Sequence, residues 1–186
     1  MDEKKIREEL LKLVKEKAFQ KGAYTLSSGK KSNYYFDGKQ ITLDPQGILL
    51  IGKTVLAMLQ GIQVDAVGGP TLGADPIAAA VALLSSQTGK PLKAFIVRKE
   101  EKKHGTQKRI EGPRLEAGDR VAVVEDVITS GKSVLEAIGE IEKLNCRVVK
   151  VVCLVDREEG AAKLLESHNF SPIFTKTELE LSGSSS

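Results

Sequence analysis

The sequence predicts an α/β fold with a mostly parallel central sheet flanked by helices, and three observations lead to this prediction. Short apolar runs alternate along the chain with longer amphipathic or alanine-rich stretches, which is the order of strands and helices in a parallel sheet. The apolar runs are continuous, as expected of strands that are buried on both faces. With 186 residues, 41% of them hydrophobic and 28% charged, the chain is long enough for one domain with a large core.

The N-terminal quarter is predicted to be a helix followed by a small hood of short strands. Residues 3–19 place their apolar side chains on one stripe, which is typical of an amphipathic helix. The hood, residues 20–43, contains three short segments that favour strands, at 24–26, 33–37 and 40–43. Asp44 then suits a helix N-cap and Pro45 the first helical position, so a helix is predicted to follow up to about residue 60.

The rest of the chain repeats the order of strand and helix. Strands are predicted at residues 65–68, 93–97, 120–124, 148–155 and 173–174, and helices at 74–88, 132–144 and 158–167. Residues 98–114 show no apolar period and are predicted to form a loop. The serine-rich end, 182–186, is predicted to be a disordered tail. We therefore expect a single domain over residues 1–181, with its hood mainly at 20–43 and its core at about 44–175.

Composition and charge exclude several classes of function. The longest apolar run, 77–84, has eight residues, whereas a membrane-spanning helix needs about 20. Aromatic residues make up 4% and there is no Trp, which disfavours a base-stacking surface for nucleic acid. The net charge of +3 comes from one segment, 98–114, in which seven Lys or Arg residues outnumber three Glu residues, so no broad DNA-binding face is expected. Cys146 and Cys153 have no CxxC spacing, which favours a reducing, cytoplasmic compartment.

One motif in the sequence is predicted to be accidental. Residues 47–54 match the phosphate-binding pattern GxxxxGK[ST], but that pattern works as a turn between a strand and a helix. Here no apolar strand precedes it, and Asp44 and Pro45 already begin a helix. Its large aliphatic residues continue an apolar helical stripe, so the segment is predicted to be an ordinary packed helix.

The segment Val121–Ser133 is the strongest candidate for chemistry. An apolar strand leads into Glu125 and Asp126, and a small hydroxylated stretch, 129–133, then opens a helix. Backbone N–H groups at such a helix N-terminus bind phosphate. The two carboxylates would repel that phosphate, so they are predicted to face a sugar diol or Mg²⁺. The alternative is a Ser/Thr helix cap beside an acidic turn, with no ligand.

Four segments together resemble the type I phosphoribosyltransferase family, and in particular its orotate-specific members. Val121–Ser133 resembles the family's phosphoribosyl pyrophosphate (PRPP) signature, and Arg98–Gly105 resembles its RKxxKxHG catalytic loop. Leu26–Asp37 is similar to the motif at the base site, and Gly68–Asp75 to the pyrophosphate loop. The resemblance covers roughly residues 20–175. It implies the type I phosphoribosyltransferase fold and a reaction in pyrimidine synthesis, in which orotate and PRPP give orotidine 5′-monophosphate and pyrophosphate.

The resemblance also implies roles for individual residues at the PRPP site. The 5′-phosphate lies on the amides of residues 129–133, and Asp126 with Glu125 receives the ribose hydroxyls. Mg²⁺ is carried by PRPP, with no direct protein ligand and at most a water-mediated contact to Asp126. The implied PRPP-binding residues are Arg98, Lys99, Lys102, His104, Glu125, Asp126, Val127, Ile128, Thr129, Ser130, Gly131, Lys132 and Ser133. Of these, the implied catalytic residues are Lys99, Lys102, His104 and Asp126.

The basic loop has a physical reason under this interpretation. Mobile cations stabilise the charge that develops on the departing pyrophosphate, and His104 is the candidate to protonate it. The family's loop reaches the active site of a second subunit, which implies a homodimer. A solvated loop without function is the alternative.

Orotate binding is assigned in the same way. Arg157 is implied to pair with the orotate carboxylate, Thr129 to bind the same end, and Tyr35 and Phe36 to pack on the pyrimidine. A surface ion pair for Arg157, and plain core packing for the two aromatic residues, are the alternatives.

Two departures and two rival functions remain open. Some relatives carry Lys at the positions of Ser27 and Gly73, so Lys30 or Lys31 is a candidate to replace the missing charge. A phosphoribosyltransferase for another base, or a non-catalytic PRPP-sensing regulator, would share the PRPP signature. The basic loop and Arg157 argue against the first, and the lack of a separate nucleic-acid-binding element argues against the second.

Overall fold

The N-terminal part of the protein is a helix followed by a two-stranded sheet. The computed structural model describes residues 2–25, 31–100 and 109–181. Its first elements are α1 (Glu3–Leu13), a π-helical turn (Val14–Ala18), β1 (Phe19–Thr25), β2 (Lys31–Phe36) and α2 (Lys39–Thr42). Strands β1 and β2 are antiparallel, with Phe19 opposite Phe36. The helix predicted at 3–19 is confirmed, and the prediction for the tail at 182–186 lies outside the described residues.

The strand predicted at residues 40–43 is wrong, because this segment is the helix α2. The side chain of Asp37 accepts hydrogen bonds from the backbone N–H of Lys39 (3.1 Å) and from Nε2 of Gln40 (3.1 Å). Such a carboxylate satisfies donors at a helix start. Ile41 and Thr42 are buried, so one short helical turn also brings two successive side chains into the core.

The next helix confirms that the GxxxxGK[ST] match is accidental. Helix α3 spans Pro45–Met58, and the Asp44 carboxylate caps it by accepting from the N–H groups of Gln46 (3.1 Å) and Gly47 (2.8 Å). Residues 47–54 are therefore helix interior. A Cβ on Gly47 would lie 2.4 Å from the carbonyl oxygen of Ile41, so this glycine is required for packing on α2.

Among the described residues, six strands form the central sheet and five of them are parallel. The remaining elements are β3 (Ala66–Pro70), α4 (Ala74–Ser86), β4 (Lys93–Val97), β5 (Ile110–Glu111), β6 (Arg120–Ile128), α5 (Lys132–Glu142), β7 (Arg147–Asp156), α6 (Ala161–Leu164), a 3₁₀ turn (Glu166–His168), β8 (Phe170–Thr175) and α7 (Lys176–Leu181). The strand order is β5-β4-β3-β6-β7-β8. Only β5, within the segment predicted to be a loop, is antiparallel. The predicted α/β class with a mostly parallel sheet is confirmed.

Both faces of the sheet are buried, as the continuous apolar runs predicted. Along β6, Ala122 and Val124 join the core beneath α1, α3 and α4, whereas Val121 and Val123 join the core beneath α5. This alternation follows from the two-residue period of a strand. Among the helices in the described ranges, none has the length and apolarity needed to cross a bilayer.

The central strand β6 is longer than predicted. It was expected to end at residue 124 but runs to Ile128. Residues 125–128 pair with β7 up to the partners Ile128 and Asp156, and these hydrogen bonds hold the acidic residues in extended backbone. The consequence is that Glu125 and Asp126 belong to the sheet and not to a loop beyond it.

Candidate active site

The candidate site lies where the carboxyl ends of β3, β6 and β7 meet. In parallel α/β sheets this edge is the usual place for ligands. The loop after β3 ends at Gly73, β6 carries Glu125 and Asp126, and Arg157 follows β7 directly. Lys39, in the hood, reaches the same edge through an ion pair with Asp126.

Glu125 and Asp126 form a buried carboxyl pair. Each residue is only 7% exposed. Oδ1 of Asp126 accepts the backbone N–H of Val127 (2.7 Å), and Oε1 of Glu125 accepts the N–H of Asp126 (3.0 Å). Because both side chains bond to the backbone of their own strand, their positions are fixed before any ligand arrives.

The loop after β3 approaches the carboxyl pair so closely that only glycine fits. A Cβ on Gly73 would lie 1.9 Å from Oε1 of Glu125 and 2.3 Å from Oδ1 of Asp126. On the hood side, a Cβ on Gly38 would lie 2.9 Å from Oδ2 of Asp126. The Asp126 carboxylate is thus held between two backbone segments, and the absence of Lys at position 73 has a steric basis in this chain.

The pair carries one negative charge at neutral pH. Burial, and then the charge of Asp126, raise the pKa of Glu125 to about 9, so Glu125 holds a proton at neutral pH. Nζ of Lys39 lies 3.3 Å from Oδ2 of Asp126. The charge of Asp126 is also the main cause that raises the pKa of Lys39.

The raised pKa makes Glu125 a source of pH-dependent stability. Between about pH 5 and 9 the folded protein keeps a proton that the unfolded chain has lost, so the free energy of unfolding contributed by this group falls as pH rises. Glu125→Gln removes this titration and mimics the protonated acid. We expect the stability of the wild-type protein to fall more than that of the variant between pH 6 and 8.5, as measured by urea unfolding. Equal pH dependence in the two proteins would contradict the assignment.

The predicted phosphate cradle lies between β6 and α5. Gly131 has a φ of 82° and stands at the N-cap of α5, which has no acidic residue in its first turn. Thr129 is half-buried, and Ser130, Lys132 and Ser133 are exposed. The helix N-terminus therefore opens to solvent beside the carboxyl pair, where its unpaired N–H groups can receive an anion.

Two of the residues predicted to bind PRPP already make other contacts in the structure. Ile128 is buried in the core, and only its backbone reaches the site, where its carbonyl oxygen accepts the N–H of Arg157 (2.9 Å). Val127 is half-buried, and its N–H is already bonded to Asp126.

The structure places Tyr34, which is not among the predicted site residues, next to Arg157. Nε of Arg157 donates to the Tyr34 hydroxyl (3.0 Å) and lies 3.5 Å from a carboxylate oxygen of Glu159. The guanidinium and Nζ of Lys176 each lie 5.3 Å from the centre of the Tyr34 ring. Tyr34 is itself buried and stacks on Phe19.

The two predicted aromatic residues are not brought to Arg157. Tyr35 is 43% exposed and its ring lies against Tyr24, with 5.5 Å between ring centres. Phe36 packs against the core. Because side chains alternate along β2, Tyr34 and Tyr35 point to opposite faces, and the tyrosine adjacent in sequence occupies the place next to Arg157.

The basic loop is described only at its two ends. Arg98 lies at the end of β4, where its Nη1 is 3.4 Å from Oε1 of Glu111, and Lys99 is exposed. The N–H of Arg98 donates to the carbonyl oxygen of Arg109 (2.8 Å), so the antiparallel pair β4–β5 joins the loop ends. Lys102 and His104 lie outside the described residues, as does Lys30, while Lys31 is exposed in β2.

Comparisons with known proteins agree with this arrangement. Residues 37–175 match the phosphoribosyl transferase domain family. Orotate phosphoribosyltransferase from Nostoc sp. is 44% identical over 177 residues, covering 94% of this chain and 85% of the relative. The enzyme of that name from Aquifex aeolicus is 45% identical over 172 residues, covering 91% and 93%.

Solved structures give the same result for the fold. Orotate phosphoribosyltransferase from Mycobacterium tuberculosis, solved in complex with Fe(III) dicitrate, superposes with a TM-score of 0.82 at 38% identity and covers 94% of this chain and 98% of that one. The same enzyme in complex with PRPP gives a TM-score of 0.79 at 35% identity, covering 94% and 99%. The type I phosphoribosyltransferase fold implied by the four motifs is confirmed, and the chain belongs to the orotate phosphoribosyltransferase family.

Proposed function

We propose that this site transfers the ribose 5-phosphate of PRPP to orotate, giving orotidine 5′-monophosphate and pyrophosphate in pyrimidine synthesis. The observation that carries the proposal is the adjacency of two opposite kinds of subsite. A buried carboxyl pair, Glu125 and Asp126, lies near the end of β6, and the open N-terminus of α5 follows five residues after Asp126. A ligand that carries both a diol and a phosphate matches this pair of subsites.

The two subsites act on different parts of PRPP. The N–H groups of residues 129–133 bind the 5′-phosphate, and the helix dipole of α5 adds about 0.3–1 kcal/mol. Asp126 accepts hydrogen bonds from the ribose hydroxyls, and protonated Glu125 can donate as well as accept. Holding the sugar at both ends orients its C1′ toward the base site at the end of β7.

The donor set fits Mg²⁺ that arrives with its substrate. In the parts of the chain that the structure describes, no group of three or more His, Cys, Asp or Glu side chains could hold a metal ion. Asp126, beside a protonated Glu125, offers one charged carboxylate, which suits an ion that keeps its waters and is held by phosphate oxygens. Bound Mg²⁺ would neutralise part of the pyrophosphate charge. The chain's own contribution is the orientation of the diol by Asp126.

Cations of the basic loop act on the leaving group under this proposal. Arg98 and Lys99 lie at the described end of the loop, and Lys102 and His104 stay predictions. Positive groups that close over pyrophosphate stabilise the charge that grows as its bond to C1′ breaks. Closure also excludes water, which would otherwise react with the activated sugar.

We further propose a homodimer, and an exposed apolar stripe along α4 supports it. Leu72 and Leu83 are 70% and 66% exposed, and Ala79 is exposed between them. Ala79 and Leu83 are four residues apart on one side of the helix, and Leu72 lies in the turn two residues before α4 begins. Helix α4 packs on β4, the strand that leads into the basic loop.

Mixing two inactive variants tests the shared site. Lys102→Ala and Asp126→Asn subunits should each be inactive alone, because each lacks one part of the site. After mixing and subunit exchange, up to about a quarter of the wild-type activity should return, since random dimers contain about one intact site in four. Mixed subunits with no regained activity would contradict a site shared between subunits.

The cytoplasm is the proposed location of the reaction. Both cysteines, Cys146 and Cys153, are free and buried. Unpaired thiols are usual in a reducing compartment.

The substrate is tested by following orotate absorbance in the ultraviolet. Purified protein with PRPP and Mg²⁺ should consume orotate, and it should leave uracil and hypoxanthine unchanged in parallel reactions. Omission of either PRPP or Mg²⁺ should stop the reaction. Consumption of another base would contradict the substrate assignment, and PRPP binding without consumption of any base would contradict catalysis.

Tyr34→Phe tests the base site. The variant keeps the ring that stacks on Phe19 but removes the hydroxyl that accepts from Arg157. The lost hydrogen bond, which holds Arg157 in place, contributes about 0.5–1.5 kcal/mol. The KM for orotate should therefore rise about 2- to 10-fold. The KM for PRPP should stay the same. Tyr35→Phe is the matched control on the opposite face of β2, and an equal effect of the two variants would contradict the role of Tyr34.

A further inference from the structure

Lys39 lies at the carboxyl pair although no motif assigns it a function. Its Nζ is 3.3 Å from Oδ2 of Asp126, and the backbone of the preceding Gly38 approaches the same oxygen. The Lys39 side chain is 50% exposed, whereas that of Asp126 is 10% exposed. The ammonium group therefore faces the buried carboxylate on one side and solvent on the other.

The two oxygens of Asp126 have different surroundings. Oδ1 accepts the N–H of Val127 and is closed in by Gly73, which has no side chain to supply a charge. Oδ2 faces the hood and is the oxygen nearest to Lys39. A hydroxyl that binds Oδ2 must therefore arrive next to the Lys39 ammonium group.

The negative charge of Asp126 needs a cation beside it if an anionic substrate is to bind there. PRPP is strongly anionic, and Asp126 would repel it if its negative charge were unpaired. The groups that act on Lys39 are Asp126, Asp37 and Glu125, and Glu125 is neutral when protonated. Removal of Lys39 would leave a net negative charge at the entrance of an anionic substrate.

We propose that Lys39 is a PRPP-binding residue, which neutralises Asp126 in the free enzyme and contacts PRPP in the complex. This assignment rests on the proposed function. The distance of 3.3 Å is long for a charge-assisted hydrogen bond, which is usually about 2.7–2.9 Å. The ammonium group is also half exposed, so it can turn from Oδ2 to an oxygen of the substrate while the ribose hydroxyls take its place on Asp126.

Direct binding of PRPP to charge variants tests the proposal. Lys39→Met should raise the Kd for PRPP with Mg²⁺, measured by calorimetry, about tenfold at low ionic strength. The loss should shrink as salt is added, because screening weakens the attraction that the wild-type protein retains. Lys39→Arg should stay within about threefold of wild type, since it keeps the charge. The KM for orotate should change less than twofold in both variants.

Lys12→Met is the matched control. It also removes one positive charge from an exposed ion pair, in which Lys12 at the end of α1 pairs with Glu16 in the following π-helical turn. It should leave the Kd for PRPP unchanged. A thermal unfolding midpoint for Lys39→Met close to that of wild type shows that the fold is retained. If the fold is not retained, Lys39→Arg decides, because the proposal requires near-normal PRPP binding from this variant.

The outcomes separate this proposal from the proposed function. Equal Kd values and equal salt dependence for Lys39→Met and Lys12→Met would overturn the role of Lys39 alone. A wild-type protein that binds no PRPP would overturn the proposed function, and the role of Lys39 with it. A larger effect on the KM for orotate than on the Kd for PRPP would move Lys39 to the base site and would also overturn the proposal.

Discussion

Gly73→Ala is expected to lower kcat/KM for PRPP about 100-fold or more while the protein stays folded. The new methyl carbon would meet Oε1 of Glu125 at 1.9 Å and Oδ1 of Asp126 at 2.3 Å. Both atoms end buried side chains that are bonded to their own strand, so the carboxyl pair must move. A displacement of about 1 Å at reacting groups costs about 100-fold in rate.

Gly139→Ala is the matched control for this prediction. Gly139 lies within α5, and a Cβ there would meet no atom within 4 Å. The same substitution should keep full activity and raise the free energy of unfolding by about 0.5–1 kcal/mol through better helix propensity. Steady-state kinetics and urea unfolding measure both effects. Similar kcat/KM values for the two variants would show that the close approach of Gly73 has no part in the reaction.

Asp126→Asn is expected to lower kcat about 10²- to 10³-fold, the usual cost of removing one electrostatic contact to the transition state. The amide keeps the size of the side chain and can still accept the N–H of Val127, so the fold should be retained. It removes the only charge of the carboxyl pair, because Glu125 is protonated at neutral pH. Glu125→Gln, which mimics that protonated acid, should therefore lower kcat much less at pH 7.

Asp119→Asn is a control for the loss of an ion-paired carboxylate elsewhere. Asp119 pairs with Lys93 at 2.8 Å, beyond the amino end of β6 and away from the site. This variant should lose some stability and keep its kcat. Thermal unfolding and initial rates at saturating substrate distinguish the two results, and a near-normal rate for Asp126→Asn would remove Asp126 from the catalytic set.

The parts of the site that are local in sequence could be predicted, because their chemistry depends on neighbouring residues. The carboxyl pair and the hydroxylated helix start stand within nine residues, 125–133. A strand end followed by a helix start places such residues together in any parallel sheet. The predicted strand is too short, because the acidic side chains at 125 and 126 end the apolar run that predicts it. The hydrogen bonds to β7 that extend the strand cannot be seen in the sequence.

Contacts between the hood and the core could not be predicted in the same way. Lys39 and Asp126 are 87 residues apart, and Tyr34 and Arg157 are 123 residues apart. The hydrophobic pattern of a sequence does not reveal such polar pairs. A one-residue error in predicting which side chains of β2 face the core is enough to put Tyr35 in the place of Tyr34. The short helix α2 could not be predicted for a related reason, because a hydrogen bond from the N–H of Lys39 to the side chain of Asp37, the residue before the N-cap Gly38, supports its start.

The pairing of β6 with β7 has a consequence for the choice of base. The backbone bond from Arg157 to Ile128 ties the end of one strand to the end of the next, and adjacent strands lie about 4.8 Å apart. Under the proposed function, the spacing between the sugar-phosphate half and the pyrimidine half of the site is therefore set by the hydrogen-bond ladder rather than by side chains. New base selectivity could be engineered at the end of β7 and in β2 alone, with the ribosyl-transfer machinery on β6 left intact.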